Sequence, residues 1–283
     1  RGEIFDKEFK ISLNDNYNKI NFKLLKTGII ADVNLNEVKK DSIKSGELKS
    51  KLFNSKLKLN FDYGEKKIKI YNSYFRNKDL SFNNESIIIY YPFFSINSIF
   101  KIDDINLQLL KKININKILS SKDFIKKINT INNIEFNSKT FNRKLIDSLN
   151  LNIDLAYGRL VYSKKILISE NIFTCNGDIN LLEEYPILYF DCSINLKDKK
   201  NFLNKFSINY KKKNELLNLD VEGYLNFLKN NINFTSIQIN KNYKASKEDL
   251  SYFKDVFKII FLNKNLFGIF NKNNIREFIL EVY

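Results

Sequence analysis

Between residues 151 and 196 apolar side chains fall on every second position, and this period decides what the chain can fold into. Leu151, Ile153 and Leu155 alternate with Asn152 and Asp154; further on, Leu188, Phe190, Cys192, Ile194 and Leu196 alternate with Tyr189, Asp191, Ser193 and Asn195. Successive side chains of a strand point to opposite faces, so each run has one apolar and one polar face. That is the pattern of an antiparallel sheet wetted on one side.

The same rhythm runs through the first half. Phe9, Ile11 and Leu13; Ile20, Phe22 and Leu24; Ala31, Val33 and Leu35; a run opened by Gly46; Leu57, Leu59, Phe61 and Tyr63; Ile68 and Ile70; Ile87, Ile89 and Tyr91; and Ile105, Leu107 and Leu109 read as short strands. Asn, Asp, Lys and Ser make most of the turns between them. After the central stretch, Leu217, Leu219, Val221 and Gly223 form one run, Ile232 and Phe234 a second, and Ile237 and Ile239 a third. The strands recur with short turns, without the long crossover helices between them that a parallel sheet requires.

Four stretches switch to helical spacing. Ser121 precedes Phe124, Ile128 and Ile131, which predicts a helix over 122–132. Residues 198–206 read as a turn or two of helix with Phe202, Leu203 and Phe206 inward. The strongest helix covers 246–262: Ser246 is the N-cap, Asp249 occupies the capping-box position, and Leu250, Phe253, Phe257 and Ile260 form the stripe. A last helix is expected over 274–283, through Ile275, Phe278 and Ile279.

Composition narrows the chemistry. The 283 residues are 43% hydrophobic, enough for a sizeable core, and contain no His, Met or Trp. Without His the commonest general base and metal ligand are missing. No phosphate-binding glycine loop and no nucleophile elbow occurs. The adjacent carboxylates Asp103-Asp104 and Glu183-Glu184 would point to opposite faces of a strand. No enzyme activity, metal or cofactor is therefore expected. The formal net charge of +15 could serve an anionic partner, but the lysines are spread along the chain, with Lys211-Lys212-Lys213 the tightest cluster, and read as solvated surface. No nucleic-acid signature accompanies the Phe and Tyr residues, and no nucleic acid is expected as partner. Cys175 and Cys192 lie on runs that could be neighbours in a meander. One bridge is conceivable in an oxidising compartment; the expectation is two small buried hydrophobes.

Two stretches carry a family resemblance. LNLNIDLAYGRLVYSKKILISENIFTCNGDINLL is a run of short strands with Gly177-Asp178-Ile179 after a variable turn. EYPILYFDCSINLKDKKNFL follows with a proline-started strand, Asp198 and a short helical segment. Together with IDDINLQLLKKININKIL and the helix near Phe124, they resemble the C-terminal region of the AsmA-like family, the AsmA, YhdP and TamB-type envelope proteins, over residues 1 to 240. The resemblance implies a long curved antiparallel β-sheet forming an open hydrophobic groove. With the strands and helices read above, the expected fold is mainly β with a few helices, a single domain over 1–283 with a helical C-terminal cap over 246–283. The chain, which begins Arg1-Gly2-Glu3, would be part of a longer protein. It further implies a periplasmic location, anchored to the inner membrane through an N-terminal helix outside this chain. The implied partner is a phospholipid or other acyl-chain lipid, and the implied role is lipid transport between inner and outer membranes or outer-membrane assembly. The groove candidates are Leu151, Ile153, Leu155, Leu188, Phe190, Ile194, Leu219 and Val221. The competing expectation is a structural or adhesion β-module with a fully packed core and a basic partner-binding surface.

Overall fold

The structure is a computed structural model of the 283-residue chain. It describes all residues except 1, 5–6, 15, 17, 37–42, 107–118, 138–144, 212–213, 263–270 and 283. The protein is mainly β, its strands are mostly antiparallel, and its helices are few. Contacts divide the chain into two compact units, residues 1–106 with 129–135, and residues 107–128 with 136–283.

The first unit is a meander of β1 (Gly2–Ile4), β2 (Lys7–Leu13), β3 (Lys19–Leu24), β4 (Ile29–Leu35), β5 (Lys44–Leu52), β6 (Ser55–Tyr63), β7 (Lys67–Arg76), β8 (Leu80–Ile89) and β9 (Ser95–Ile105). Each strand pairs antiparallel with the next. Its described residues include no helix. Ile105 ends β9, while Leu107 and Leu109, with most of the 102–119 stretch, lie outside the described residues. β10 (Asn129–Asn137) contributes to both units.

The second unit begins with a single helical turn, α1 (Lys122–Ile125), and continues through β11 (Ser148–Ala156), β12 (Arg159–Ile168), β13 (Asn171–Asn180) and β14 (Ile187–Leu196). Helix α2 (Lys199–Lys205) follows, then β15 (Leu217–Asn226), β16 (Asn231–Ile239) and the two-residue β17 (Tyr243–Lys244). Helix α3 (Lys247–Phe257) runs into a π-helical turn, Lys258–Leu262, and α4 (Lys272–Val282) closes the described chain. Strands β11 to β17 again pair in sequence order, all antiparallel.

Local chemistry accounts for these elements. Tyr157 and Gly158 both have positive φ, 48° and 96°, the requirement of a two-residue hairpin whose twist matches its strands. At the next turn Asn171 is fully buried: its amide nitrogen donates to the carbonyls of Ile168, Ser169 and Asp198, and its oxygen accepts from the Asp198 amide at 2.9 Å. Asp198 in turn caps α2, accepting from the Asn201 amide at 3.0 Å. One asparagine thus ties the β12–β13 turn to the start of a helix. The capping box of α3 is formed as its sequence predicts, with Ser246 Oγ accepting from the Asp249 amide.

Three readings are corrected. The 122–132 helix stops at Ile125, and residues 129–137 form β10 instead. Asn129, Thr130, Asn132 and Asn133 are weak helix formers, and the anchor is Ile125, 5% exposed, while Phe124 is 67% exposed. Ser121 makes no capping bond. Ile232, Phe234, Ile237 and Ile239 sit on the single strand β16. The switch from even to odd numbering is a bulge: Gly223 faces Phe234 but Glu222 faces Ser236, leaving Thr235 extra. Cys175 and Cys192, expected as separate hydrophobes, face each other across β13 and β14 and form a disulfide.

Candidate functional site

Strand register places all eight groove candidates on one face of the second unit. One row runs Leu155, Leu160, Ile179 on β11, β12 and β13; Leu188 continues it on β14, opposite Leu225 of β15. The next runs Ile153, Tyr162, Gly177, Phe190, Gly223 and Phe234 across β11 to β16. Below it lie Leu151, Lys164, Cys175, Cys192, Val221 and Ile237, and below that Leu149, Ile166, Phe173, Ile194, Leu219 and Ile239.

Helices cover this face unevenly. At one end Leu119 and Ile125 pack with Ile179 and Leu181, and Leu155 and Leu188 join that cluster. At the other, Phe202, Leu203 and Phe206 of the α2 region pack on Ile168 and Leu196, with Ile194 and, from α4, Ile275 and Ile279 alongside. The C-terminal helices form a third cluster around Val256, Ile260 and Phe261, and Phe257 meets Phe234 edge-on at 5.8 Å. Leu151, Ile153, Phe190, Leu219 and Val221 belong to none of these clusters, and each is half-buried. The face is thus sealed at its ends and shallow in the middle. There the Tyr162 ring lies over Gly177 and the Phe190 ring over Gly223, where a Cβ would come within 2.6 and 2.7 Å of them.

The first unit presents a longer apolar face that the sequence reading did not single out as a site. Ile11, Phe22, Ala31, Ser50, Leu57, Phe75, Phe82 and Ile102 are aligned across β2 to β9. Leu13, Ile20, Val33, Leu48 and Leu59 form a parallel row. Among the unit's described hydrophobic side chains only Leu24 is buried, and Ile11 and Leu13 are 49% and 53% exposed. The signal was present as alternation; what a sequence does not display is whether another layer lies on top.

Lys164 was also missed. It stands on the apolar face between Leu151 and Cys175, at a position where β12 otherwise carries Leu160, Tyr162, Ile166 and Ile168. Burial pulls its ammonium below the ordinary lysine range and pushes the neighbouring Tyr162 phenol up. The Tyr162 hydroxyl lies 3.5 Å from Cys175 Sγ.

The opposite, polar face holds an open hollow beside Arg159, Asp178, Tyr189, Asp191, Glu222 and Tyr224. Asp191 directly opposes Glu222, and Asp178 pairs with Arg159 at 3.3 Å. Tyr189 at its edge is 55% exposed. Acid–base catalysis draws on groups tuned by exclusion of water, and this hollow is solvated. Among the described residues no three His, Cys, Asp or Glu side chains converge as a metal site, and no helix is long and apolar enough to cross a membrane. No family model, curated protein or solved structure matches the chain.

Proposed function

We propose that this protein shields lipid acyl chains on its apolar sheet faces, in support of lipid transport between membranes or outer-membrane assembly. The observation that carries the reading is the first unit's apolar face, with rows aligned across eight strands, one buried hydrophobic side chain and no helix among its described residues. An acyl chain laid on such a surface is sheltered from water at about 0.8 kcal/mol per buried methylene. The contact is non-directional, so a lipid could shift along it without any bond being made or broken. The disulfide of the second unit fits an oxidising compartment such as the periplasm, and the AsmA-like resemblance points to the same place, with an inner-membrane anchor outside this chain.

The packed-module alternative draws on the helical clusters at the two ends of the second unit's face. One experiment separates the two. The protein is purified from membranes without detergent exchange and its bound lipids are identified by mass spectrometry, then a fluorescent fatty acid is titrated against it. Co-purified lipid and saturable uptake, weakened by Phe22→Asp or Leu57→Asp in the first unit, are expected. Lipid-free protein that takes up no acyl probe would overturn the proposal in favour of the packed module.

A further inference from the structure

The middle of the second unit's apolar face contains one charge. Lys164 shares its row with Leu151, the Cys175–Cys192 disulfide and Val221, and neither hydrogen bond nor ion pair partners its ammonium among the described residues. Some lysines of the chain meet a carboxylate: Lys58 with Glu47, Lys126 with Asp123 and Lys205 with Asp147. At Lys164 none is supplied. Retaining an unpartnered charge on an apolar surface is costly unless something completes it. A methionine or leucine there would continue the row and pack better. Among the described residues the neighbouring Tyr162 hydroxyl has the Cys175 sulfur beside it, a weak partner for a phenol that a half-buried site ordinarily satisfies.

These two groups stand between sealed ends. The helical clusters pack on the rows above and below, whereas Tyr162 and Lys164 are half-buried and belong to none of those clusters. From Lys164 to Val221 is three strand steps of ~4.8 Å, an apolar path of about 14 Å leading away from the ammonium. Resting on the lipid-handling reading above, we infer that the second unit holds a discrete site for a lipid with an anionic head group, carboxylate or phosphate, in which Lys164 and Tyr162 receive the head group and the chain lies along the row towards Val221. The charge then serves selection: a neutral amphiphile leaves the ammonium unpartnered, an anionic one completes it.

The test compares matched chains with and without a charged head: oleate against oleyl alcohol, and dodecyl phosphate against dodecanol, titrated into the 283-residue chain and followed by native mass spectrometry. A charge-assisted hydrogen bond predicts a preference of about tenfold for an anionic member over its alcohol. Lys164→Met should bring the anions down to the level of the alcohols without weakening alcohol binding, and Lys164→Arg should restore the preference. A preference confined to oleate or to dodecyl phosphate supports the site and fixes its head group. Because the methionine variant removes an unpartnered charge, it should melt at or above the wild-type temperature, so loss of selectivity cannot come from unfolding. Equal binding of anions and alcohols by the wild type, or a preference that survives in Lys164→Met, overturns the head-group site and leaves the lipid-handling reading standing. Failure of all four ligands to bind overturns that reading itself.

Discussion

Asn171 and Lys164 show opposite ways of placing a polar group among apolar neighbours. Asn171 is fully enclosed and uses both ends of its amide, so its removal strands several backbone groups at once. Leaving a buried partner unsatisfied costs about 1–3 kcal/mol, and Asn171→Ala should lower the urea unfolding free energy by at least that amount, with Phe206→Ala, at 1% exposure, costing about 3–5 kcal/mol through the cavity it leaves. Lys164 has no such enclosure of partners, and its lowered proton affinity has a definite sign. The unfolded chain holds that proton up to about the ordinary value of 10.5, while the folded chain gives it up earlier. Between those two points the unfolded state binds more protons, so this residue makes stability rise with pH across that window and level off above it. Tyr162, whose phenol is pushed above 10.0, contributes the reverse slope at the alkaline end. Subtracting the unfolding midpoints of Lys164→Met from those of the wild type between pH 7 and 11 isolates the lysine: the variant's advantage should shrink as pH rises.

Among the elements, those with a strong local signal were readable from sequence and those decided by packing were not. The 198–206 and 246–262 helices and the last helix were visible because capping residues and apolar spacing agree, at Asp198 and at the Ser246–Asp249 box. The 122–132 stretch has helical spacing at Phe124, Ile128 and Ile131, but the asparagines around them are weak helix formers and residues 129–137 are held as β10. The bulge at Thr235 was written in the sequence as a change of parity, and was read as two strands. The eight groove candidates alternate as a strand face requires and do share a face; which of them the helices cover depends on α1, α2 and α4 folding back, which alternation does not encode. Ser246→Ala should cost about 1 kcal/mol, the usual worth of an N-cap, seen as a lower melting temperature. Alkylation under denaturing, non-reducing conditions should leave Cys175 and Cys192 unlabelled by intact mass, and two labels should appear only after reduction; the bridge closes a 17-residue separation, for which loop entropy gives about 3 kcal/mol.

At the scale of the molecule, the two units differ in how their hydrophobic residues are used. The second gathers them into clusters under helices, and the first spreads them over a face with little burial. Opening free energy follows buried contact, so hydrogen exchange should be faster in β2 to β4 than in β12 to β15, and a bound acyl chain should slow it in the first unit. Exchange as slow in β2 to β4 as in β12 to β15 without lipid would mean that the first face is covered after all. Within each meander, strands consecutive in the chain bond to one another. Most of the pairing in such a ribbon is between strands that follow one another in the chain. A hairpin added or removed alters its span by two strand widths, ~9.6 Å, without rewiring the remainder, so reach can be adjusted by simple duplication or loss of coding segments.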